Sequence, residues 1–170
     1  MDIRPCQEGD LEILERQMPS PGQTHRHAMR FETQEQGLST FLVAWADRIP
    51  VGTAQILWHG CRAPEVHDRF PECPELNGLG VWPPQQRSQG IGSAIIHAAE
   101  TQVRRNGYHR FGLGVDDQNH RAASLYLRLG YHETGCRYLD RYHYLDDEGL
   151  RHEVADPCRF LVKQLTGQPG

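Results

Sequence analysis

The run Arg87-Ser88-Gln89-Gly90-Ile91-Gly92-Ser93 reads R-x-x-G-x-G and separates two segments of different period. Glu75-Leu76-Asn77-Gly78-Leu79-Gly80-Val81 before it is strand-like, and Ser93-Ala94-Ile95-Ile96-His97-Ala98-Ala99-Glu100 after it is helix-like. A strand that turns through glycines into a helix start builds an anion site. The first amides of a helix have no intrahelical partner, and the summed peptide dipoles put positive charge at the same end. Glycines remove the Cβ that would hold a phosphate away. Arg87 adds a full charge.

Three nucleotide chemistries compete for such a loop. A P-loop needs Gly-Lys followed by Ser or Thr. The only lysine is Lys163, which follows Val162, so that reading fails. A dinucleotide fingerprint needs a third glycine where Ile95 stands, and an acidic ribose partner after a second strand. That match is weak. The third candidate is the pyrophosphate of coenzyme A.

Val81 to Ile96 resembles motif A of the GNAT superfamily of N-acetyltransferases, V-x-P-x-x-R-x-x-G-x-G/A-x-x-L. Asn119-His120-Arg121-Ala122-Ala123-Ser124-Leu125-Tyr126-Leu127-Arg128-Leu129-Gly130-Tyr131 resembles motif B, N-x-x-A-x-x-L-Y-x-x-x-G-F/Y. Ile3-Arg4-Pro5 and Gly9-Asp10-Leu11 resemble the family's first strand and helix. The segment Trp82-Pro83-Pro84-Gln85-Gln86 carries two prolines where the family has one. The resemblance implies a mixed α/β sheet of order β-α-α-β-β-β-α-β-α-β-β, splayed at its centre.

The chain's own pattern follows that order. Residues 2–6 read as a strand. A helix runs from a cap at Asp10 to about Met18 and breaks at Pro19-Ser20-Pro21-Gly22. Residues 24–37 read as a polar helix. Phe41–Trp45 and Val51–Trp58 read as a hairpin turning at Asp47-Arg48-Ile49-Pro50. Residues 59–74 read as a long loop with three prolines, functional or mobile. In the helix 91–105, Ile91, Ile95, Ala99 and Val103 form the apolar face. The strand 110–115, the helix near 119–129, with Ala122, Leu125, Tyr126 and Leu129 inward, and the strands 131–145 and 153–163 complete one domain over 1–170.

Composition narrows the partners. A formal charge of −4 argues against generic nucleic-acid binding and mildly favours cationic amines. The first residues lack an apolar targeting core, and no apolar run reaches a membrane-spanning length of about 18 residues. Five cysteines without a C-x-x-C suit free thiols in a reducing cytoplasm. Cys61, His67 and Cys73 lack a zinc spacing, so no metal is expected.

Acetyl transfer from a thioester to an amine needs a held donor, a neutral amine and protection of the leaving thiolate. The resemblance implies acetyl-CoA as donor. Its pyrophosphate would meet Arg87, Ser88, Gln89, Gly90, Ile91, Gly92 and Ser93. Its pantetheine arm would pair with the backbone of Leu79, Gly80 and Val81, where Gly78 and Gly80 permit a bulge. Asn119 would contact the arm or cap its helix. Glu75 is the candidate base, with Asp116 and Asp117 in reserve or capping the next helix. Tyr126 is the candidate acid toward the thiolate. His25-Arg26-His27 reads as a solvated helix face in the region that lines the acceptor site in the family. Tyr138, Tyr142 and Tyr144 alternate along one strand. The expected acceptor is a small-molecule primary amine, attacked directly by a monomer or homodimer. A protein or peptide amine is the alternative. A non-catalytic acyl-CoA sensor would keep Gly90 and Gly92 but need neither Glu75 nor Tyr126.

Overall fold

Phe41-Leu42-Val43-Ala44-Trp45 is apolar at every position, as a strand covered on both faces must be. In the computed structural model, which describes residues 1–87 and 89–166, Leu42 and Ala44 enter one buried cluster while Phe41, Val43 and Trp45 enter another. This strand, β2 (Ser39–Ala46), pairs antiparallel with β3 (Ile49–Leu57). The sequence places the hairpin turn over 47–50. The structure closes it with Asp47 and Arg48 alone, both at positive φ (49° and 66°). A two-residue turn of that hand matches the strand twist. Ile49 and Pro50 therefore belong to β3, and a register shift beside Trp45 accommodates them.

β1 (Asp2–Pro5), β4 (Glu75–Val81), β5 (Arg110–Asp116), β6 (His132–Leu145) and β7 (Arg151–Gln164) complete a seven-stranded sheet of order β1-β2-β3-β4-β5-β7-β6. Its neighbours are antiparallel except β4 and β5, which run parallel. On one face, α4 (Ile91–Arg105) lays Ile91, Ile95, Ile96, Ala99 and Val103 against Leu42, Ala54, Ile56, Leu76, Phe111 and Leu113. Ile96 widens the apolar face that the sequence period marks. α5 (His120–Arg128) adds Ala123 and Tyr126 to this cluster, with Ala122, Leu125 and Leu129 at its margin. On the other face, α1 (Leu11–Gln17) and α2 (Arg26–Glu35) cover Phe41, Val43 and Trp45 with Leu14 and Phe31.

The expected loop at 59–74 is not bare. It contains a helical turn, α3 (Pro64–His67), and buries Cys61, Val66 and Cys73 against Cys136, Tyr138, Cys158 and Phe160. Proline at the first helical position and a short apolar set explain why it packs down. β5 makes room: a Cβ on Gly112 would collide with the Phe160 ring, and one on Gly114 with the Tyr138 hydroxyl.

One charged network holds the α4 face to the sheet. Glu100, 3 % exposed, accepts from Lys163 Nζ at 3.0 Å and from the Tyr131 hydroxyl at 2.9 Å. Removing the carboxylate leaves the lysine ammonium and a buried phenol without their acceptor. Because Lys163 reaches solvent in part, Glu100→Ala is expected to cost about 2–3 kcal/mol rather than the larger loss of a fully buried pair. Scanning calorimetry should show a Tm fall of roughly 6–10 °C, which Glu100→Gln partly restores.

Candidate active site

The site grows from an irregularity in β4. Its ladder with β3 pairs Asn77 with Gln55 and Gly80 with Thr53. Gly78 and Leu79 therefore oppose Ala54 alone, which is a bulge. Gly78 takes φ +66°, and a Cβ there would stand 2.8 Å from Arg30 Cζ. Both conformation and space call for glycine. The parallel ladder with β5 covers only Glu75 opposite Gly112 and Leu76 opposite Leu113. Past Leu76 the two strands part, and among the described residues the β5-facing backbone of residues 77–81 has no strand partner.

α4 begins at this opening. Gly90 stands before it at φ +84°, and the first helical bond runs from Ala94 N–H to the Gly90 carbonyl at 3.0 Å. The amides of Ile91, Gly92 and Ser93 precede that bond and make none within the helix. A Cβ on Gly92 would touch Leu125 Cδ2 at 3.7 Å, Leu79 Cδ2 at 3.9 Å and Val81 Cγ2 at 4.0 Å. The first turn of α4 thus sits between the end of β4 and α5. Arg87 and Gln89 are exposed on the connecting loop, which enters through a short 3-10 turn, Pro84–Gln86. Ser88 lies outside the described residues.

The two catalytic candidates come from opposite faces of the sheet. Tyr126 is buried in the α4 cluster, edge-on to Tyr131 with centroids 6.3 Å apart. Burial pushes its phenol up to about 12. Glu75 is 4 % exposed among Cys61, Tyr138 and Asp140. Its Oε1 accepts from Asn77 Nδ2 at 3.0 Å, while Oε2 has no hydrogen-bond partner among the described residues. Burial raises its pKa, and the neighbouring Asp140 adds to the rise against the opposing Asn77 hydrogen bond. Asp140 is itself raised by burial and by Asp156 and Asp116.

Other expectations resolve differently. Asn119 caps α5, its Oδ1 accepting from Ala122 N–H at 3.1 Å, and leaves its amide NH₂ uncommitted by that bond. Neither Asp116 nor Asp117 fills that place. Asp116 accepts from Gln118 N–H at 2.7 Å, and Asp117 pairs with Arg137 and Arg159. His27 is not on a solvated face: it is buried, bonded through Nε2 to the Met18 carbonyl at 2.6 Å and stacked on Phe41, and burial lowers its pKa. Of the alternating tyrosines, Tyr138 is buried, Tyr142 donates to Asp156 at 2.9 Å and Tyr144 stacks on His152. All five cysteines are buried free thiols. Burial pushes Cys6 and Cys158 up to about 12 and Cys73 to about 11, and raises Cys61 as well. Among the described residues no three His, Cys, Asp or Glu side chains group as metal ligands, and no helix is long and apolar enough to cross a membrane. Arg30, which lies against Gly78, and the ladder pair Asn77 and Gln55 beside the bulge carry no motif. The only trace of them in the sequence is Arg26 and Arg30 four apart in a helix.

A mixed sheet opened between two parallel strands, with a glycine-led helix starting at the opening, is the architecture of the acyl-CoA N-acyltransferases. A sequence profile of the Acetyltransferase (GNAT) family matches residues 11–131, and the chain belongs to that family. A comparison with curated protein sequences returns no match. Solved structures share the fold at low identity. A spermidine N-acetyltransferase chimera from Vibrio cholerae and hSSAT superposes with TM-score 0.67 at 15% identity, covering 96% of each chain. A ribosomal-protein-alanine N-acetyltransferase from Brucella melitensis gives 0.65 at 21%, covering 97% of this chain and 100% of its own. A GNAT family acetyltransferase from Elizabethkingia anophelis, solved with acetyl-CoA bound, gives 0.63 at 14%, covering 96% and 97%.

Proposed function

We propose that residues 1–170 act as one cytoplasmic N-acetyltransferase domain that moves an acetyl group from acetyl-CoA to a small-molecule primary amine by direct attack. The observation that carries this reading is the parting of β4 from β5 at the Gly78 bulge, opposite the amides that precede the first helical bond of α4. Acetyl-CoA would supply an activated thioester. The chain's residues fit it: Ile91, Gly92 and Ser93 offer amides to a diphosphate, with Gly90, Gln89 and Arg87 beside them. Leu79, Gly80 and Val81 offer an unpaired strand edge to an amide-bearing arm. A backbone N–H of the bulge can face the charge that develops on the acyl oxygen.

Proton handling falls to two buried groups. A lysine-like ammonium, pKa ~10.4, costs roughly 4.6 kcal/mol to deprotonate at pH 7. Glu75 takes that proton, and its raised pKa narrows the gap to the amine. The carboxyl is too sheltered for broad contact with solvent, so the transfer runs along the Glu75–Asn77 side of β4. Tyr126 faces a different problem. A phenol near 12 would protonate a thiolate of pKa ~8.5 only uphill. Its work is therefore hydrogen bonding to the developing thiolate. Tyr126→Phe is expected to lower kcat by about 10- to 100-fold, the scale of one charge-assisted bond, and to leave the affinity for coenzyme A within about threefold. Stopped-flow thiol release and calorimetry read the two effects. The buried, high-pKa cysteines fit direct attack rather than an acetylated thiol.

A thiol-release screen with acetyl-CoA against a panel of small amines and short peptides tests the reading. Turnover on small amines supports it. Turnover on peptides alone would shift the acceptor to protein amines, and binding of coenzyme A without any turnover would favour an acyl-CoA sensor.

A further inference from the structure

The fold brings a guanidinium to the β4 bulge and gives it no carboxylate. Arg30, on α2, lies against Gly78 and over the Phe41 ring, with Cζ 5.9 Å from the ring centroid. It makes neither an ion pair nor a hydrogen bond among the described residues. Two other part-buried arginines are matched: Arg4 bonds Asp10 at 2.7 Å, and Arg159 pairs with Glu133 and Asp117. Burial draws Arg30 down to about 10, and Arg26, one turn earlier, adds to the shift. The group still carries its charge at neutral pH. Arg30 is half-buried and its guanidinium nitrogens are not among the buried atoms without a partner, so its donors are open to a ligand. Their fork geometry fits a carboxylate.

Charge of the other sign gathers further along the same face of the sheet. Glu75 and Asp140 interact there, with Asp156 and Asp116 acting on Asp140. The bulge thus has a cationic side on α2 and an anionic side on β4 and β6. An acceptor with an ammonium at one end and a carboxylate at the other meets both.

We infer that Arg30 binds a carboxylate on the acceptor, so that the amine acetylated belongs to an amino-acid-like molecule. This deepens the acetyltransferase reading above and rests on it. Arg30 is a specificity residue here.

The test compares matched pairs that differ only at the acid: phenylalanine with phenylalaninamide, glycine with glycinamide and β-alanine with β-alaninamide. The pair ethanolamine and phosphoethanolamine is added. The wild-type protein is expected to prefer the carboxylate member of at least one pair by about 10- to 100-fold in kcat/KM. Arg30→Gln should bring that ratio to within about threefold, and Arg30→Lys should fall between. Calorimetry of coenzyme A binding to each variant checks that it is folded. Equal turnover of acid and amide by the wild type, or an Arg30→Gln ratio that matches it, overturns the inference while leaving the acetyltransferase reading intact. A preference seen only for phosphoethanolamine overturns the carboxylate assignment. Absence of turnover on every one of these probes overturns the inference, and the wider screen of amines and peptides then decides the acetyltransferase reading separately.

Discussion

Gly92→Asp should abolish coenzyme A binding without weakening the fold. Position 92 is in the first turn of α4, where a carboxylate is favourable to the helix dipole by about 0.3–1 kcal/mol and where glycine is a poor helix former. The space exists, since an added Cβ makes only ordinary contacts with Leu125, Leu79 and Val81, none closer than 3.7 Å. The same carboxylate occupies the amides proposed for the diphosphate and repels it. Loss of two charge-assisted hydrogen bonds plus that repulsion is worth at least about 100-fold in Kd. Calorimetric titration and a thermal melt, run on one preparation, read the opposed signs. A variant that binds as the wild type does would remove the α4 amides from the site.

Glu75→Gln should give a similar opposition, with activity lost and stability gained. If Glu75 is the base, its removal lowers kcat/KM by about 10²- to 10⁴-fold near neutral pH. In the wild type the acid limb of the pH profile should have its midpoint above the ordinary carboxylate range, because burial raises the Glu75 pKa. Activity climbs as pH rises through that value, and the variant loses this limb. The stability effect has the reverse sense. A carboxyl whose folded pKa lies above its unfolded value favours the fold below the unfolded value, and that contribution is lost as pH rises through the folded one. Ionised Glu75 therefore weakens the fold at pH 7–8. The glutamine keeps the acceptor for Asn77 Nδ2 and removes the charge, for a gain of up to about 1 kcal/mol that fades toward pH 4. Melting curves at both pH values check it. A variant with full turnover would return the proton to water or to another group.

What could be read from the chain was local. The glycine loop, the helix that follows it, the hairpin strands and the capping role open to Asn119 all depend on neighbours within a few residues. The bulge at Gly78 was within reach too, because two glycines in a strand announce irregular backbone. What escaped depends on tertiary neighbours. Asp47 and Arg48 hold positive φ without being glycine, since the strands on both sides impose the turn. The segment 59–74 looks like open loop until Cys136, Tyr138 and Phe160 supply the apolar surface on which α3 rests. His27 reads as polar until Phe41 and the Met18 carbonyl bury it. Arg30 is one of many surface-type arginines until β4 bulges beneath it. Glu75 was legible as a strand-end acid, whereas its burial beside Cys61 and Asp140 was not.

The proposed chemistry depends on where the diphosphate of coenzyme A sits. A crystal structure of the complex measures this directly. The account expects diphosphate oxygens within hydrogen-bond distance, about 2.7–3.2 Å, of the Ile91, Gly92 and Ser93 amides, with the arm paired along Leu79–Val81. Density for coenzyme A on another surface, or for a dinucleotide in this opening instead, would contradict it.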